Sequence, residues 1–236
     1  MIVLLDSTAA GDGRGPRLVE GEEHHLRVRR ARDGDPVELR DGAGLIGSGR
    51  LVRDGPGWSV EVEERRVVGK RPGVTLAVGA GDRERFEWLA EKATELGVAA
   101  LIPVETEFTS AVATRVRPQH VAKLRRRALE ALKQCGAAWL PEISPPISLA
   151  TLLARPSTGE RWLADRSGAA AGAVSPLAIV LVGPEGGLTP AERSAAVGAG
   201  FRPVRLGPYV LRFETAALAA AALAAANLAM TGGVDV

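Results

Sequence analysis

The chain has 236 residues, and its 30 lysines and arginines nearly balance 28 aspartates and glutamates, for a formal net charge of +2. Bulk charge therefore does not indicate a nucleic-acid binder. The single cysteine, Cys135, excludes an internal disulfide and a cysteine-rich metal site, which favours a reducing compartment and a cytoplasmic protein. The start, Met1–Asp6, lacks the basic and long apolar regions of a signal peptide. The longest apolar run, residues 216–226, is shorter than the ~18 residues that argue for a membrane span, so we expect no membrane association.

The first 68 residues are typical of short β-strands. The segments Pro36–Arg40 and Trp58–Glu63 alternate apolar and polar side chains. Turn signals separate such segments, at residues 33–35, 41–44 and 54–57. This spacing predicts a small β-barrel or sandwich. Residues 69–73, which contain two glycines and a proline, form the natural linker to a second domain.

From Val74 onward, strand-like and helix-like segments alternate. In chain order we predict a strand at 74–79, a helix at 83–96 closed by Gly97, a strand at 98–104, a helix at 118–136 with an apolar stripe of Leu124, Ala128, Ala131 and Leu132, a short helix near 149–154, a strand at 161–164 and a flexible loop at 167–175. This alternation predicts an α/β fold with a largely parallel sheet.

A local excess of positive charge lies at residues 114–127. The basic residues there are Arg115, Arg117, Lys123, Arg125, Arg126 and Arg127, with no acidic residue among them. The pattern fits a positive face that meets phosphates. It fits a solvated helix surface equally well.

Two strand-to-helix segments near the C-terminus are the most informative feature. The apolar run 176–182 leads into Gly183–Gly187, and Thr189 with Glu192 then forms a capping box. A second strand at 202–207 leads through Arg212 and Glu214 into an alanine-rich helix. The carboxyl ends of parallel strands meet at one sheet edge, which is where open α/β sheets bind ligands.

The chemistry of these segments leaves alternatives open. The glycines let a backbone approach a ligand closely, but an ordinary turn has the same composition. Neither a P-loop nor a Gly-x-Gly-x-x-Gly pattern is present, which argues against a phosphate-cradling NTPase. Arg212 and Glu214 stand in an apolar passage, so they face a site or each other, or else Glu214 caps the helix and Arg212 lies at the surface.

These motifs resemble the bacterial 16S ribosomal RNA (uracil-N3) methyltransferases of the knotted SPOUT superfamily. The resemblance rests on Gly183–Gly187 and on Leu206-Gly207 followed by Val210-Leu211-Arg212 and Glu214-Thr215-Ala216. Further matches are Lys92–Val98 with Ile102-Pro103, Gln134 and Gly136 leading to Leu140-Pro141, and His24-His25-Leu26 with Arg30, Arg32 and Gly34-Asp35. Together they cover nearly the whole chain.

The resemblance implies a PUA-like β-barrel that binds RNA over residues 1–70 and a SPOUT α/β domain with a C-terminal trefoil knot over 73–236. It also implies a homodimer that requires no metal, uses S-adenosylmethionine and methylates N3 of a uridine in 16S rRNA of the 30S subunit. The cofactor-binding residues expected from it are Leu163, Val182, Gly183, Glu185, Gly187, Leu206, Gly207, Leu211, Thr215 and Ala216.

For catalysis, our hypothesis is that Arg212 stabilises negative charge developing on the uracil and that Glu214 holds Arg212 or orients the ribose or base. No general base is identified from the sequence. The residues expected to contact RNA are Arg27, Arg30, Arg32, Lys92, Arg125 and Arg126, together with Arg29 and the rest of the basic stretch.

Four positions depart from the family pattern. Glu91, Phe108 and Ala137 stand where the family has glutamine, arginine and arginine, and Phe213 replaces a small hydroxyl residue and makes its loop bulkier. The first three weaken attraction for RNA. The departures leave open a shifted RNA substrate or a paralogue with weak or altered activity.

A competing hypothesis is a non-catalytic RNA-binding or ribosome-assembly factor, against which the retained Arg212, Glu214 and glycine segment argue. A methyltransferase acting on tRNA is a third alternative from analogy of fold alone, which the His24-His25 and Arg30 pattern disfavours.

Overall fold

Two separate sheets organise the computed structural model, which describes residues 1–6, 18–19, 21–70, 72–173, 175 and 177–231. The chain divides into two units. The first comprises Met1–Arg71 and Leu129–Leu140, and the second comprises Pro72–Ala128 and Pro141–Val236. Residues 129–140, which the sequence boundaries assigned to the second domain, thus group with the first unit.

The first unit contains a four-stranded sheet in the order β1-β2-β3-β4. Its elements are β1 (Ile2–Leu4), α1 (Glu22–Val28), β2 (Pro36–Arg40), β3 (Leu45–Asp54) and β4 (Gly57–Val67). Strand β1 is parallel to β2, and the other neighbours are antiparallel. Alternating side chains such as Val37, Leu39 and Leu51 are buried in one apolar cluster, as the period-two pattern predicts.

Helix α1 was not predicted, because its seven residues carry too few apolar side chains to show a helical period. Leu26 is fully buried and anchors the helix in the core of the first unit. The helix begins after Gly21, whose φ of 92° lies in the left-handed region. Lys133 donates to the buried Glu22 carboxylate at 2.5 Å, so an ion pair fixes the first turn.

The second unit contains a seven-stranded sheet in which every pairing is parallel. The strand order is β11-β9-β10-β5-β6-β7, and β8 also pairs with β6. The strands are β5 (Thr75–Gly79), β6 (Ala100–Glu105), β7 (Glu142–Ile143), β8 (Ile147–Ser148), β9 (Arg161–Ala170), β10 (Ile179–Val182) and β11 (Arg202–Arg205). The α-helices of this unit are α2 (Arg83–Glu95), α4 (Leu149–Leu153), α5 (Pro190–Gly198) and α6 (Phe213–Thr231). Helix α3 (Val121–Cys135) begins in this unit, and its residues from Leu129 onward belong to the first unit.

The central strands explain the unbroken apolar runs of the sequence. Leu76 and Val78 of β5 and Val180 and Leu181 of β10 are completely buried, which requires cover on both faces of the sheet. The expected α/β class with a mainly parallel sheet is thereby confirmed. None of the described helices is long and apolar enough to cross a membrane.

The helix boundaries follow local signals. The Asp82 carboxylate accepts from the backbone N–H groups of Glu84 and Arg85 at 3.0 and 3.2 Å, so it caps the start of α2. Gly97 follows the C-terminus with φ of 67°, as predicted. The predicted stripe on α3, which includes Leu124 and Leu132, is buried.

The loop predicted at residues 167–175 is wrong over its first part. Residues 167–170 belong to β9, which pairs with β11. The pairing steps from Leu163 opposite Pro203 to Ala169 opposite Val204, so residues 164–168 bulge out of the strand. The small side chains of residues 167–170 predicted a flexible loop because the bulge interrupts the two-residue period of the strand. Val174, in the same predicted loop, and Pro176, in the predicted run 176–182, lie outside the described residues.

Candidate active site

The carboxyl ends of β9, β10 and β11 open into one cleft of about 620 Å³. Its lining comes from the β9 bulge, the glycine segment after β10, and the segment from β11 to the start of α6. Of the ten residues expected to bind a cofactor, nine line this cleft: Leu163, Val182, Gly183, Glu185, Gly187, Leu206, Gly207, Leu211 and Ala216. Thr215 is exposed and lines an adjoining depression together with Asp82, Arg85 and Trp88.

The glycine segment is held tightly against the end of β5. Gly187 has φ of 75° and donates its N–H to the Pro184 carbonyl at 2.8 Å, which closes a turn. A Cβ at Gly79 would collide with the backbone of Pro184. Glu185 accepts from the Asp82 N–H at 3.2 Å. These contacts fix the position of the segment without side chains crossing it.

The far end of the glycine segment is fixed by the predicted capping box of α5. Thr189 Oγ1 accepts from the Glu192 N–H at 3.2 Å, and Glu192 Oε2 accepts from the Thr189 N–H at 2.9 Å. The second Glu192 oxygen accepts from the Glu107 N–H at 2.8 Å. Phe108, one of the departures from the family pattern, packs against Gly186. A Cβ added to Gly186 would lie 3.1 Å from the Cβ and Cγ atoms of Phe108. Phe108 therefore supports the glycine segment while remaining 41% exposed.

Arg212 lies at the N-cap position of α6, where its carbonyl accepts from the Ala216 N–H at 2.9 Å. Its side chain is exposed and lines the cleft. Among the described residues, no hydrogen-bond or ion-pair partner is present for the Arg212 guanidinium. The group is thus available to a ligand in the cleft.

Glu214 does not hold Arg212, which corrects one reading of the sequence. Its Oε1 accepts from Arg85 Nη1, and the two side chains form an ion pair. Glu214 is only 7% exposed, and its Oε2 is buried with no hydrogen-bond partner in the described part of the chain. A buried carboxylate oxygen without a donor is costly, so this atom is poised to accept a hydrogen bond from a ligand.

Phe213, which was expected to make its loop bulkier, is among the residues that line the cleft, yet it is largely buried. Its side chain is 3% exposed, and its ring centroid lies 5.9 Å from that of Phe86 with the planes tilted by 31°. The ring therefore packs α6 against α2. The departure from the family pattern is a core contact.

The bulge of β9 brings a carboxylate that the sequence did not single out. Asp165 accepts from Arg193 Nε at 2.5 Å and from the Ser167 hydroxyl at 2.8 Å. Burial acts to raise the pKa of Asp165, but these hydrogen bonds outweigh it and hold the pKa below its ordinary value. Asp165 thus remains ionised and joins the bulge to α5.

The basic residues expected to meet RNA from the second unit are partly engaged within it. Lys92 donates to Glu91 and Glu95, each at 2.8 Å, and these contacts raise its pKa. Arg125 donates to the Ile143 carbonyl at 2.8 Å, while its neighbour Arg126 is exposed.

Lys123 lies 2.7 Å from the Glu87 carboxylate. An acidic residue from another helix thus reduces the positive charge of the stretch, which its own sequence could not reveal.

In the first unit, Arg27 and Arg30 line a shallow depression of about 280 Å³ together with Arg53 and Trp58. The Arg53 guanidinium lies 4.1 Å from the centre of the Trp58 ring. Arg32 is exposed but does not line this depression. Within the described ranges, no group of three or more histidines, cysteines, aspartates or glutamates could hold a metal ion.

Known proteins share both the sequence and the fold. A family described as an RNA methyltransferase domain matches residues 70–225. Ribosomal RNA small subunit methyltransferase E from Mycobacterium bovis is 32% identical over 223 residues, covering 86% of this chain and 83% of that protein. The Synechocystis protein of the same name is 32% identical over 211 residues, covering 84% and 69%.

A solved ribosomal RNA small subunit methyltransferase E from Neisseria gonorrhoeae, bound to S-adenosyl methionine, superposes with a TM-score of 0.76. It is 28% identical, and the match covers 89% of each chain. The family resemblance inferred from the motifs is confirmed, because proteins of the same name match this chain over most of its length. The chain therefore belongs to the ribosomal RNA small subunit methyltransferase E family of RNA methyltransferases.

Proposed function

We propose that this protein transfers a methyl group from S-adenosylmethionine to N3 of a uridine in the 16S rRNA of the small ribosomal subunit. The observation that carries the proposal is that both family motifs line the same cleft at the carboxyl ends of β9, β10 and β11. Relatives named for small-subunit rRNA methylation support the substrate, and the gonococcal relative bound to S-adenosyl methionine supports the cofactor.

The residues present fit this cofactor. The volume of about 620 Å³ lies within the range of sites that enclose small molecules. Leu163, Val182 and Leu211 offer apolar contact suited to an adenine ring, and the backbone of Gly183–Gly187 offers polar groups without side chains in the way. The buried and unpartnered Glu214 Oε2 offers an acceptor for a hydroxyl or N–H group.

When bound, S-adenosylmethionine supplies a methyl group on a positively charged sulfur. The chain must then position uracil N3 in line with that group and stabilise the negative charge that develops as the N3 proton leaves. Arg212 is the residue proposed to do this, since its exposed guanidinium lines the cleft with no partner among the described residues. Glu214, held by Arg85, would orient the ribose or base through Oε2.

The remaining architecture is proposed on the family resemblance. Residues 1–70 would form a PUA-like barrel that binds RNA through Arg27, Arg30 and Arg32. Residues 73–236 would form a SPOUT domain with a trefoil knot and would pair as a homodimer, with no metal needed. The small side chains of α6 suit close packing of two helices.

Two experiments test the function. In the host, deletion of the gene should remove one N3-methyluridine from 16S rRNA, as mapped by mass spectrometry, and an unchanged modification map would refute the proposal. In vitro, calorimetry should detect S-adenosylmethionine binding to the wild type and to Arg212→Ala alike, while the variant methylates 30S subunits at least tenfold more slowly. A variant with a normal rate would remove Arg212 from the mechanism.

A further inference from the structure

The cleft carries five arginines, and they fall into two groups. Arg85 and Arg193 are paired with Glu214 and Asp165. The other three are Arg166, Arg205 and Arg212, which are all exposed and all line the cleft. For these three, the described part of the chain provides no hydrogen bond or ion pair to the guanidinium groups.

The three arginines come from three different elements. Arg166 lies in the bulge of β9, Arg205 is the last residue of β11, and Arg212 is the N-cap of α6. The fold thus brings together cations from positions 166 to 212, and they repel one another unless an anion lies between them. By contrast, Arg85 and Arg193 in the same cleft are each paired with a carboxylate of the chain itself.

An exposed aromatic residue lines the same cleft. Tyr209 lines the cleft with 82% of its surface exposed, and Val210 is 73% exposed. Neighbouring large side chains with this exposure mark a candidate binding surface. An aromatic ring next to unpaired arginines is the combination that proteins use to bind single-stranded nucleic acid, with the ring stacking on a base and the cations on phosphates.

We infer that Arg166, Arg205 and Tyr209 form a binding site for single-stranded RNA at the mouth of the cleft, in addition to the residues predicted from the sequence. The arginines hold phosphates flanking the nucleotide that enters the cleft, and Tyr209 stacks on a neighbouring base. The inference rests on the proposed function, because it places the RNA next to the proposed methyl donor. Arg212 reaches the same site, but its proposed catalytic role excludes it from the test.

The test uses the full-length protein and a fluorescently labelled single-stranded oligouridylate, with affinity measured by anisotropy over a range of salt. Each phosphate contact contributes about 0.7 to the slope of log affinity against log salt for single strands. Arg166→Gln and Arg205→Gln should each lower the slope by about 0.7, which corresponds to about fivefold weaker binding at 0.1 M salt. Tyr209→Leu should weaken binding by about fivefold or more with the slope unchanged.

Arg202→Gln is the matched control. Arg202 lies on the same strand as Arg205 and is exposed, but its guanidinium lies 5.4 Å from the centre of the Trp162 ring and does not line the cleft. This variant changes the net charge equally and should leave the salt slope and the affinity for oligouridylate unchanged.

Three results would overturn the inference. One is a wild-type salt slope in the Arg166→Gln/Arg205→Gln double variant. Another is a loss of S-adenosylmethionine affinity by calorimetry with RNA binding intact, which would assign the arginines to the cofactor carboxylate. The third is an altered oligomeric mass in light scattering, which would assign them to a contact between copies. If the wild type fails to bind S-adenosylmethionine, the proposed function fails, whereas the salt slopes still decide this inference.

Discussion

The ion pair between Arg85 and Glu214 gives the sharpest stability prediction. Glu214 is nearly buried, with its side chain 9% exposed, whereas the Arg85 side chain is 37% exposed. Arg85→Met should therefore leave a buried carboxylate with no partner on either oxygen, since Oε2 already has none among the described residues. Glu214→Leu should leave an arginine that can turn toward water.

The magnitudes follow from this asymmetry. Removing one partner of a buried pair costs ~3–5 kcal/mol, and partial exposure of Arg85 screens the pair, so we expect a loss of about 2 kcal/mol for Arg85→Met. Glu214→Leu should cost about 1 kcal/mol. Replacement of both partners by apolar residues is often neutral, so the double variant should lie within about 1 kcal/mol of the wild type.

The assay is urea unfolding without cofactor, followed by tryptophan fluorescence and circular dichroism, for the wild type, both single variants and the double variant. The expected coupling energy is about 2 kcal/mol. Lys92→Met, which removes exposed ion pairs with Glu91 and Glu95, is the control and should leave the urea midpoint unchanged. If the losses at Arg85 and Glu214 add to within about 0.5 kcal/mol, the two side chains are not coupled and the reasoning is refuted.

Three further predictions concern residues around the cleft. Phe213→Ala should destabilise the protein by about 3 kcal/mol in urea unfolding, because it removes a buried ring that packs on Phe86; a loss below about 1 kcal/mol would contradict that packing. Gly79→Ala should displace the glycine segment at Pro184 and weaken S-adenosylmethionine binding in calorimetry by about tenfold, whereas unchanged affinity would show that the approach is not close. Hydrogen bonds from Thr114 and from backbone N–H groups lower the pKa of Asp82 from its ordinary 3.8. The ionised Asp82 carboxylate should therefore stabilise the fold fully above pH 3.8, and this contribution should be lost as pH falls through the lowered pKa. Asp82→Asn, which keeps the helix cap, should reduce the loss of stability at low pH when unfolding is measured as a function of pH. An unchanged loss would count against this role of Asp82.

The elements predicted from the sequence are those with local causes. The capping box of Thr189 and Glu192 uses residues three positions apart, and Gly97 ends its helix through its own φ. Continuous apolar runs predicted the central parallel strands because burial on both faces leaves no polar positions. Parallel pairing correctly placed the two motif segments at the same sheet edge, but β10 and β11 are not neighbours, because β9 lies between them.

The partners of the charged residues were not predictable in this way. Arg85 and Glu214 are separated by 129 positions, and no periodicity in either helix announces their contact. Lys123 has no acidic neighbour in its own stretch, yet Glu87 of α2 neutralises it. A pattern along the chain gives the charge of a segment, but the charge of a surface depends on which other segments the fold brings to it.

The separation of Arg212 from Glu214 follows from helical geometry. Successive residues of an α-helix are rotated by about 100°, so side chains two positions apart at its start diverge by about 200°. Once Arg212 is the N-cap and Glu214 lies in the first turn, their side chains cannot readily pair with each other. Phe213 and Glu214 are accordingly buried, whereas Arg212 is exposed in the cleft. Helical geometry thus separates a cation that can meet a substrate from a carboxylate fixed by Arg85, and the two residues are best tested as parts of different interactions.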